Sequence, residues 1–579
     1  MKDFNWSTCL NKGKSTPVIL KKEESDFIVR EGVSGRLLNI GDNSIERIKV
    51  LDQLPGITER LLSSMDLLKR RKAFVLCRIT EIESKEDRRE IHKIYCMHPF
   101  IHTKSLSTTD GSTDILVIFD THHTMHTFSG ALTKKGKTTH DAVEVLARLL
   151  KIPSHQINFA GNKDKKAITT QRISISGISY LDIQRVVKMI AQEDSKQDNI
   201  IDGKPEGNNL GNQNESTEPI EETEVQGAEQ ENISGKNSKL FTGANREVKE
   251  TDLEDEGNIK ILKATDIMAE IERVAREFED IRAPEQTDSE YLEKAKNMKD
   301  GIILTDIERV QGGIQLGDLD KNRFYLRLEA THGLEGIEER ITMLKTEGFP
   351  NYYGNQRFGY GMSNPLVGEA MIQRDFKKAA DLILKNLECL ENSQRVKSAL
   401  EHINKQEYSQ AAEILPGKFQ TEKIILRSLE RKIPPKIIFS RIRRENRMMY
   451  YHSYQSKIFN DTLEQRLIQG VRTQEYTTDE TIGSITAKND IQDLVKVSEN
   501  PSIKDILIPL YPTEEIGEKK SERVPDLKGG FRKGIIIPGN LCYSIEGNIL
   551  SLSFELPPGT YATMVVKELS CNEVIEVTW

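Results

Sequence analysis

Apolar positions along the first third of this chain follow two alternating patterns. Asp114-Ile-Leu-Val-Ile-Phe119 is an unbroken apolar run of strand length, and Thr139 to Leu150 reads as an amphipathic helix. Ile267, Ile271, Val274, Phe278 and Ile281 recur at three- and four-residue steps, which predicts a helix from near Thr265 that ends before Pro284. Residues 371 to 466 read as mainly helical, with turn signals at Leu415-Pro416-Gly417 and Pro434-Pro435. From Ile503 onward short strand-like runs return between Gly and Pro clusters. No internal repeat has a solenoid or propeller period. The pattern predicts a chain that mixes helices and strands.

One stretch breaks the pattern. From Glu193 to about Gly257 the chain is Asn, Glu, Gly, Ser and Gln with almost no aromatics, too polar to bury enough apolar surface to offset its ordering entropy. A disordered insert is expected there. With 579 residues, the rest suits roughly three or four folding units. No run approaches the roughly 20 apolar residues of a spanning helix, and the N-terminus lacks the features of a secretory signal. A protein of the cell interior, nuclear or cytoplasmic or both, is expected. The six cysteines, Cys9, Cys77, Cys96, Cys389, Cys542 and Cys571, stand far apart without a CxxC pair, so reduced thiols are expected rather than disulfides or a zinc knuckle.

The formal charge of −8 argues at first against a nucleic-acid partner. Its distribution reverses that. Residues 193 to 256 hold 18 acidic and 6 basic side chains, a net of −12, which leaves the remainder at +4. A dense basic run, Arg431, Lys432, Lys436, Arg441, Arg443, Arg444 and Arg447, is interleaved with Ile437, Ile438, Phe439 and Ile442. That suits phosphate contact beside a packed face, although a solvated surface has the same composition.

Two segments carry candidate chemistry. NFAGNKDKKAITTQR, residues 158 to 172, places Asp164 at a tight turn among Lys163, Lys165 and Lys166, where positive charge would keep a carboxylate ionised as a nucleophile or base requires. A capping Asp in a basic surface loop would look the same. GFPNYYGNQRFGYG, residues 348 to 361, packs Asn351, Tyr352, Tyr353, Gln356, Arg357 and Phe358 between glycines. Glycines admit a close ligand, an aromatic ring can stack on an extruded base, and Asn or Gln can pair with its edge; an aromatic turn packed on a sheet is the other reading. His122, His123 and His126 do not make a metal site, because no Cys or carboxylate stands at ligand spacing and HExxH is absent. No phosphate loop or dinucleotide fingerprint occurs, so no nucleotide cofactor is expected.

Together these segments resemble the TruD family of pseudouridine synthases, in its eukaryotic-type branch. AGNKDKKAITTQ is similar to the family's catalytic signature and GFPNYYGNQRFG to its second one; LGDLDKNRFYLRLE (316 to 329) resembles the strand pair between them. Upstream, Lys21 precedes Asp26-Phe27-Ile28-Val29 as in the family's lysine and DFxV strand. Downstream, MMYYHSYQSKIFN (448 to 460) resembles a helix opening and LSFELPPGTYATMVVKEL (552 to 569) a closing strand, and RREIHKIY (88 to 95) resembles the eukaryotic insertion. Lys567 stands where an arginine is common, and LTKKGKTTHDA (132 to 142) carries Gly136 and Thr138 in place of the usual polar residues.

The resemblance implies an α+β fold with a catalytic core, a mixed, largely antiparallel sheet flanked by helices, and an inserted TRUD α/β domain. The expected division is 1–192 for the first part of the core with an inserted segment at about 38–110, 193–256 for the acidic insert, 257–370 for the second part, 371–533 for the TRUD domain and 534–579 for closing strands. It implies isomerisation of uridine to pseudouridine without cofactor or metal. Asp164 would be the catalytic carboxylate, attacking the ribose or abstracting a proton there, and Lys21 would pair with it. Tyr353 would stack on the target base, Asn351 would orient loop or base, Arg357 would brace the loop or meet phosphate, and Phe27 and Gln356 would complete the substrate-binding set. The implied partner is tRNA, at position thirteen and in this branch thirty-five, with messenger and small nuclear RNAs as further family targets and a monomer as the working unit. A non-catalytic RNA-binding or RNA-folding protein of the same fold is the alternative, and a scaffold organised around the acidic insert is a third reading.

Overall fold

The computed structural model describes residues 6, 8–10, 15–40, 49–57, 74–109, 111–119, 126–198, 259–280, 285–310, 312–359, 362–390, 393–469, 476–477, 485–486, 495–496, 506–510, 530–571 and 574–576. Its centre is an 11-stranded mixed sheet. Along it lie Gly301–Val310, His126–Lys135, Ile168–Ile178, Phe27–Val33, Lys321–Ala330, Val18–Leu20 and Val574–Glu576, and a hairpin of Gly539–Glu546 and Ile549–Leu556 attaches to the free edge of Lys321–Ala330. Within this sheet the pairs Phe27–Val33 with Ile168–Ile178 and Val18–Leu20 with Val574–Glu576 are parallel, and the rest are antiparallel. The expected α+β class and mixed, largely antiparallel sheet are therefore present.

Alternation along the strands decides which side is packed. In Ile549–Leu556 the residues Leu550, Leu552, Phe554 and Leu556 are buried while those between them are partly exposed. Phe554 stacks on Phe324 at 5.6 Å, and Phe324 meets Phe27 edge-on at 6.0 Å. This layer continues into the helices Ile337–Glu347 and Ala562–Ser570. The second of these corrects only the far half of the expected closing strand at 552–569, since Gly539–Glu546 and Ile549–Leu556 are strands. After Pro557 and Pro558 the chain enters a helix that carries Lys567, because Ala562, Val565, Val566 and Leu569 fall on one buried helical face. Burial overrides the strand preference of two consecutive valines.

The strand Val18–Leu20 and the strand Phe27–Val33 both pair with Lys321–Ala330, but the chain leaves the sheet between them. Lys21 sits at φ +60° and begins the excursion, and the short turn Glu24–Asp26 ends it. A left-handed non-glycine residue costs roughly 1–2 kcal/mol. Strands on both sides hold it in place, and the result is a lysine side chain projected across the sheet.

A second, four-stranded sheet in the order Lys260–Lys263, Phe74–Thr80, Thr113–Phe119, Ile101–Ser107 packs against the helices Lys85–Tyr95 and Ala264–Asp280. The expected strand at 114–119 and the helices at 139–150 and from 265 are all present, the last spanning Ala264–Asp280 with Ile267, Ile271, Val274 and Phe278 buried. Pro284 and Ile281 lie outside the described residues, as does the expected disordered insert from residue 199 to its end. The helix Tyr180–Asp198 runs past Glu193, where that insert was expected to begin. Residues 364–390 and 393–469 form a helical cluster, ending in the long helix Arg444–Gln469, and a small five-stranded sheet follows. The helix Asn364–Ile372 spans the expected division at 370/371. Among the described residues, which include all six cysteines, no disulfide is formed.

Of the three histidines rejected as metal ligands, His122 and His123 lie outside the described residues. His126 lies on a strand, 8% exposed, with its ring edge-on to Phe128. Burial, then Arg309 and His102, push its pKa down to about 3. The native ring therefore stays neutral where the unfolded one takes up a proton, so stability drains away as pH falls through 6.5 toward 3. Urea titrations at pH 6.5 and 4 are expected to show a loss roughly 3 kcal/mol smaller in His126→Leu than in the unsubstituted protein.

Candidate active site

The turn carrying Asp164 lies between the short strand Ile157–Phe159 and the strand Ile168–Ile178, and its backbone is gripped from several sides. Gln171 donates to the Gly161 carbonyl at 3.2 Å, and the Lys163 amide donates to the Thr139 hydroxyl at 2.9 Å. Thr139 in turn donates to Gln171 at 3.0 Å. Lys134 donates its ammonium to the Asp164 carbonyl at 2.6 Å, and the Gly317 amide donates to the Ala160 carbonyl at 2.8 Å. Lys163 points inward, to the fully buried Glu31 carboxylate at 2.9 Å and the Asn322 side-chain oxygen at 2.6 Å. These bonds make the turn a rigid mount rather than a surface loop.

What the mount presents is a half-buried carboxylate. The Lys21 ammonium approaches one Asp164 oxygen to 2.5 Å, with side-chain exposures of 8% for the lysine and 27% for the aspartate. Gln356 donates to the other oxygen at 3.1 Å. Lys21 also lies 4.2 Å from the centre of the Phe27 ring. Phe27 itself is buried in the sheet layer, so its ring is the floor under Lys21. Asp164, Lys21, Gln356 and Phe27, separated by up to several hundred residues, thus meet at one point.

The aromatic segment forms the opposite wall. It enters after Gly348, whose φ is +78°; a side chain there would press a Cβ to 2.4 Å from the Ile536 carbonyl oxygen. Phe349–Pro350 pairs with Ile535–Ile536, and the loop then crosses to the long helix. There the Asn460 side chain accepts from the Tyr353 amide at 2.9 Å and donates to the Tyr353 carbonyl at 3.2 Å. The Tyr353 ring has Arg532 over its face at 4.1 Å, Phe459 edge-on at 5.4 Å and Tyr561 at 6.3 Å. Gly354 lets the Tyr561 ring approach closely. Arg357 lies 5.6 Å from the Tyr353 ring and donates to the Ser456 hydroxyl at 3.4 Å.

Asn351 is turned into the fold. It is 2% exposed, its amide nitrogen donates to the Lys533 carbonyl at 2.9 Å, and its side-chain oxygen accepts from Arg532 at 2.6 Å. Both ends are taken, so of the two expected roles, orienting the loop or a base, the geometry provides the first.

Lys134, Asn322, Asn460 and Tyr561 lie in segments that carry the resemblance but had no role assigned to them, and Arg532 lies outside every such segment. Tyr561 is pushed up from the ordinary phenol range by burial, with Arg357 and Arg532 opposing and Tyr353 and Asp164 adding to the rise, so its hydroxyl stays protonated beside the carboxylate. The position of Tyr561 just after Pro557-Pro558-Gly559 was visible in the sequence, but the helix that follows it was not; for Arg532 nothing local was.

The sequence model of the family tRNA pseudouridine synthase D (TruD) matches residues 119–212 and 282–506, more than half of the chain. Asp164 and the segment 351–357 fall inside that match, and Lys21 and Phe27 outside it. The chain is 24% identical to a Pseudouridylate synthase 7 homolog of Bos taurus, over 95% of this chain and 78% of that one. It is 26% identical to the tRNA pseudouridine synthase D of Geobacter metallireducens, over 46% of this chain and 72% of that one. A solved structure from Methanosarcina mazei, named as a TruD protein, aligns with a TM-score of 0.47 at 17% identity, over 97% of this chain and 95% of that one. By the extent of the family match, and by relatives of the first kind that align over nearly its whole length, this chain belongs to the TruD family of pseudouridine synthases, in its eukaryotic-type branch.

Proposed function

We propose that this protein isomerises uridine to pseudouridine in tRNA with Asp164 as the catalytic carboxylate. The observation that carries this reading is the Asp164 side chain, paired with Lys21 at 2.5 Å, bonded by Gln356 at 3.1 Å and still partly open to solvent. The bond that breaks joins N1 of uracil to C1′ of ribose; the bond that forms joins C5 to C1′, and the C5 proton is lost while N1 gains one. Atoms and electrons balance within the nucleotide, so no oxidant, reductant or phosphate donor is consumed. The target nucleotide must leave its stack for the carboxylate to reach the sugar, and Tyr353, with its ring backed by Arg532 and Phe459, supplies a surface for an extruded base. Asp164 attacks C1′ directly or removes a ribose proton; both use the same carboxylate. Positions thirteen and thirty-five of tRNA, and segments of messenger and small nuclear RNA, are the proposed targets, and a monomer working in the nucleus or cytoplasm is the proposed form. The test is mass-spectrometric mapping of pseudouridine in unmodified transcripts incubated with the protein and no cofactor.

RNA would lie between the core and the inserted unit at 371–533, its backbone on basic surface. Arg431, Lys432, Lys436, Arg441, Arg443 and Arg444 are exposed around the helix Pro435–Arg441, while Ile438, Phe439 and Ile442 face inward. Arg447 is spent inside the fold, donating to the carbonyls of Phe439, Ser440 and Ile442. Replacing Arg441, Arg443 and Arg444 together by Gln is expected to raise KM several-fold and to lower the slope of log affinity against log salt by about 2, with kcat unchanged. An unaltered salt slope would remove this surface from the RNA path.

A further inference from the structure

The mount of Asp164 contains one side chain whose presence packing alone does not explain. Lys134 is fully buried in the strand His126–Lys135, opposite Thr169 on one neighbour and Ile302 on the other. Its neighbour Lys135 points elsewhere, to the Met298 carbonyl. The Lys134 ammonium donates to the Asp164 carbonyl at 2.6 Å and to the Lys137 carbonyl at 2.8 Å. An unbranched apolar side chain would fill the same tunnel without desolvating a charge. The lysine instead ties a rigid central strand to two irregular segments, the turn that carries Asp164 and the loop that leads into the helix Thr139–Leu150.

We propose that Lys134 is a positioning residue for catalysis: by holding the Asp164 carbonyl it fixes the backbone from which the carboxylate is aimed, and its loss slows the chemical step without weakening RNA binding. This rests on Asp164 being the catalytic carboxylate. Two charge-assisted bonds to carbonyls are stronger than those of a neutral amine, so the clamp depends on the proton. The charged groups that face the ammonium are Asp164 and Lys163 from the turn and Asp141 from the helix. Burial is the largest influence and lowers the lysine's pKa, Lys163 adds to the lowering, Asp164 and Asp141 oppose it, and the outcome is about 8. The clamp is therefore charged below pH 8 and weakens above it.

The experiment is the single-turnover rate of pseudouridine formation from pH 6.5 to 9.5 for the unsubstituted protein, Lys134→Met and Lys134→Arg, with RNA affinity and circular dichroism measured on each. The unsubstituted protein is expected to lose rate above pH 8. Lys134→Met should be slower by about 10- to 100-fold at pH 7, with unchanged RNA affinity and no alkaline decline. Lys134→Arg, charged throughout, should recover rate and also lack the decline. Should the arginine not fit the buried tunnel, Lys134→Met decides alone. Lys134→Met turning over at the unsubstituted rate, or sharing its alkaline decline, overturns the proposal. Product from the unsubstituted protein and none from Asp164→Ala separates that result from a failure of the catalytic assignment.

Discussion

Asp164→Asn is expected to bind tRNA within about twofold of the unsubstituted protein and to form pseudouridine slower by at least about 10²- to 10⁴-fold, the span associated with removing a positioned acid–base or nucleophilic group. The substitution keeps the shape of the side chain and its ability to meet Gln356. The turn keeps its mount, because Gln171, Thr139 and Lys134 hold backbone atoms and not the carboxylate. What disappears is the negative charge. Glu31, buried nearby, cannot take over, since its carboxylate is committed to Lys163 and to the Arg172 amide. Lys21 loses its counter-ion while only 8% exposed, so a modest drop in Tm accompanies the change. Undiminished product from Asp164→Asn would sink the catalytic assignment. RNA binding by the unsubstituted protein without product from any RNA class would favour the non-catalytic alternative instead.

The parts of this site legible in the sequence were those whose chemistry is written in adjacent residues. Asp164 among lysines and the glycine-flanked aromatic loop stand out locally. That Lys21 reaches Asp164 follows from the resemblance, and the structure supplies the physical reason: a left-handed residue ejects the chain between two strands that share a partner. Arg532 and Asn460 were illegible, because what makes them matter is contact with a loop more than a hundred residues away. Lys134 was illegible for a different reason. In LTKKGKTTHDA it is one of several lysines, and only the direction of its strand separates the buried one from its neighbour. Helices and strands with clear periodicity were readable, whereas the helix Ala562–Ser570 was expected as a strand from the resemblance, before the buried helical face of Ala562, Val565, Val566 and Leu569 was counted.

Arg532→Met is expected to cost about 2–4 kcal/mol of stability, the largest effect foreseen for any residue that does not touch the carboxylate. The guanidinium is 3% exposed, and burial lowers its pKa, so its charge has been taken out of water at a cost. The return is geometric. One fork donates to the Gly559 carbonyl at 2.6 Å, to the Asn351 carbonyl at 3.1 Å and to the Asn351 side-chain oxygen at 2.6 Å, while its flat face covers the Tyr353 ring at 4.1 Å. Methionine would leave three acceptors without a donor and Tyr353 without its backing. Lysine would keep the charge but satisfy only part of the set, since it has no planar fork. Urea unfolding should therefore rank the unsubstituted protein above Arg532→Lys and that above Arg532→Met. The single-turnover rate should fall in the same order, because the ring proposed to receive the base shares its support with the loop. If Arg532→Met unfolds at the same urea concentration as the unsubstituted protein, the aromatic wall is held without it, by Phe459, Asn460 and Tyr561. A loss of rate with unchanged stability would instead mean that the guanidinium serves to aim the Tyr353 ring and not to hold the fold.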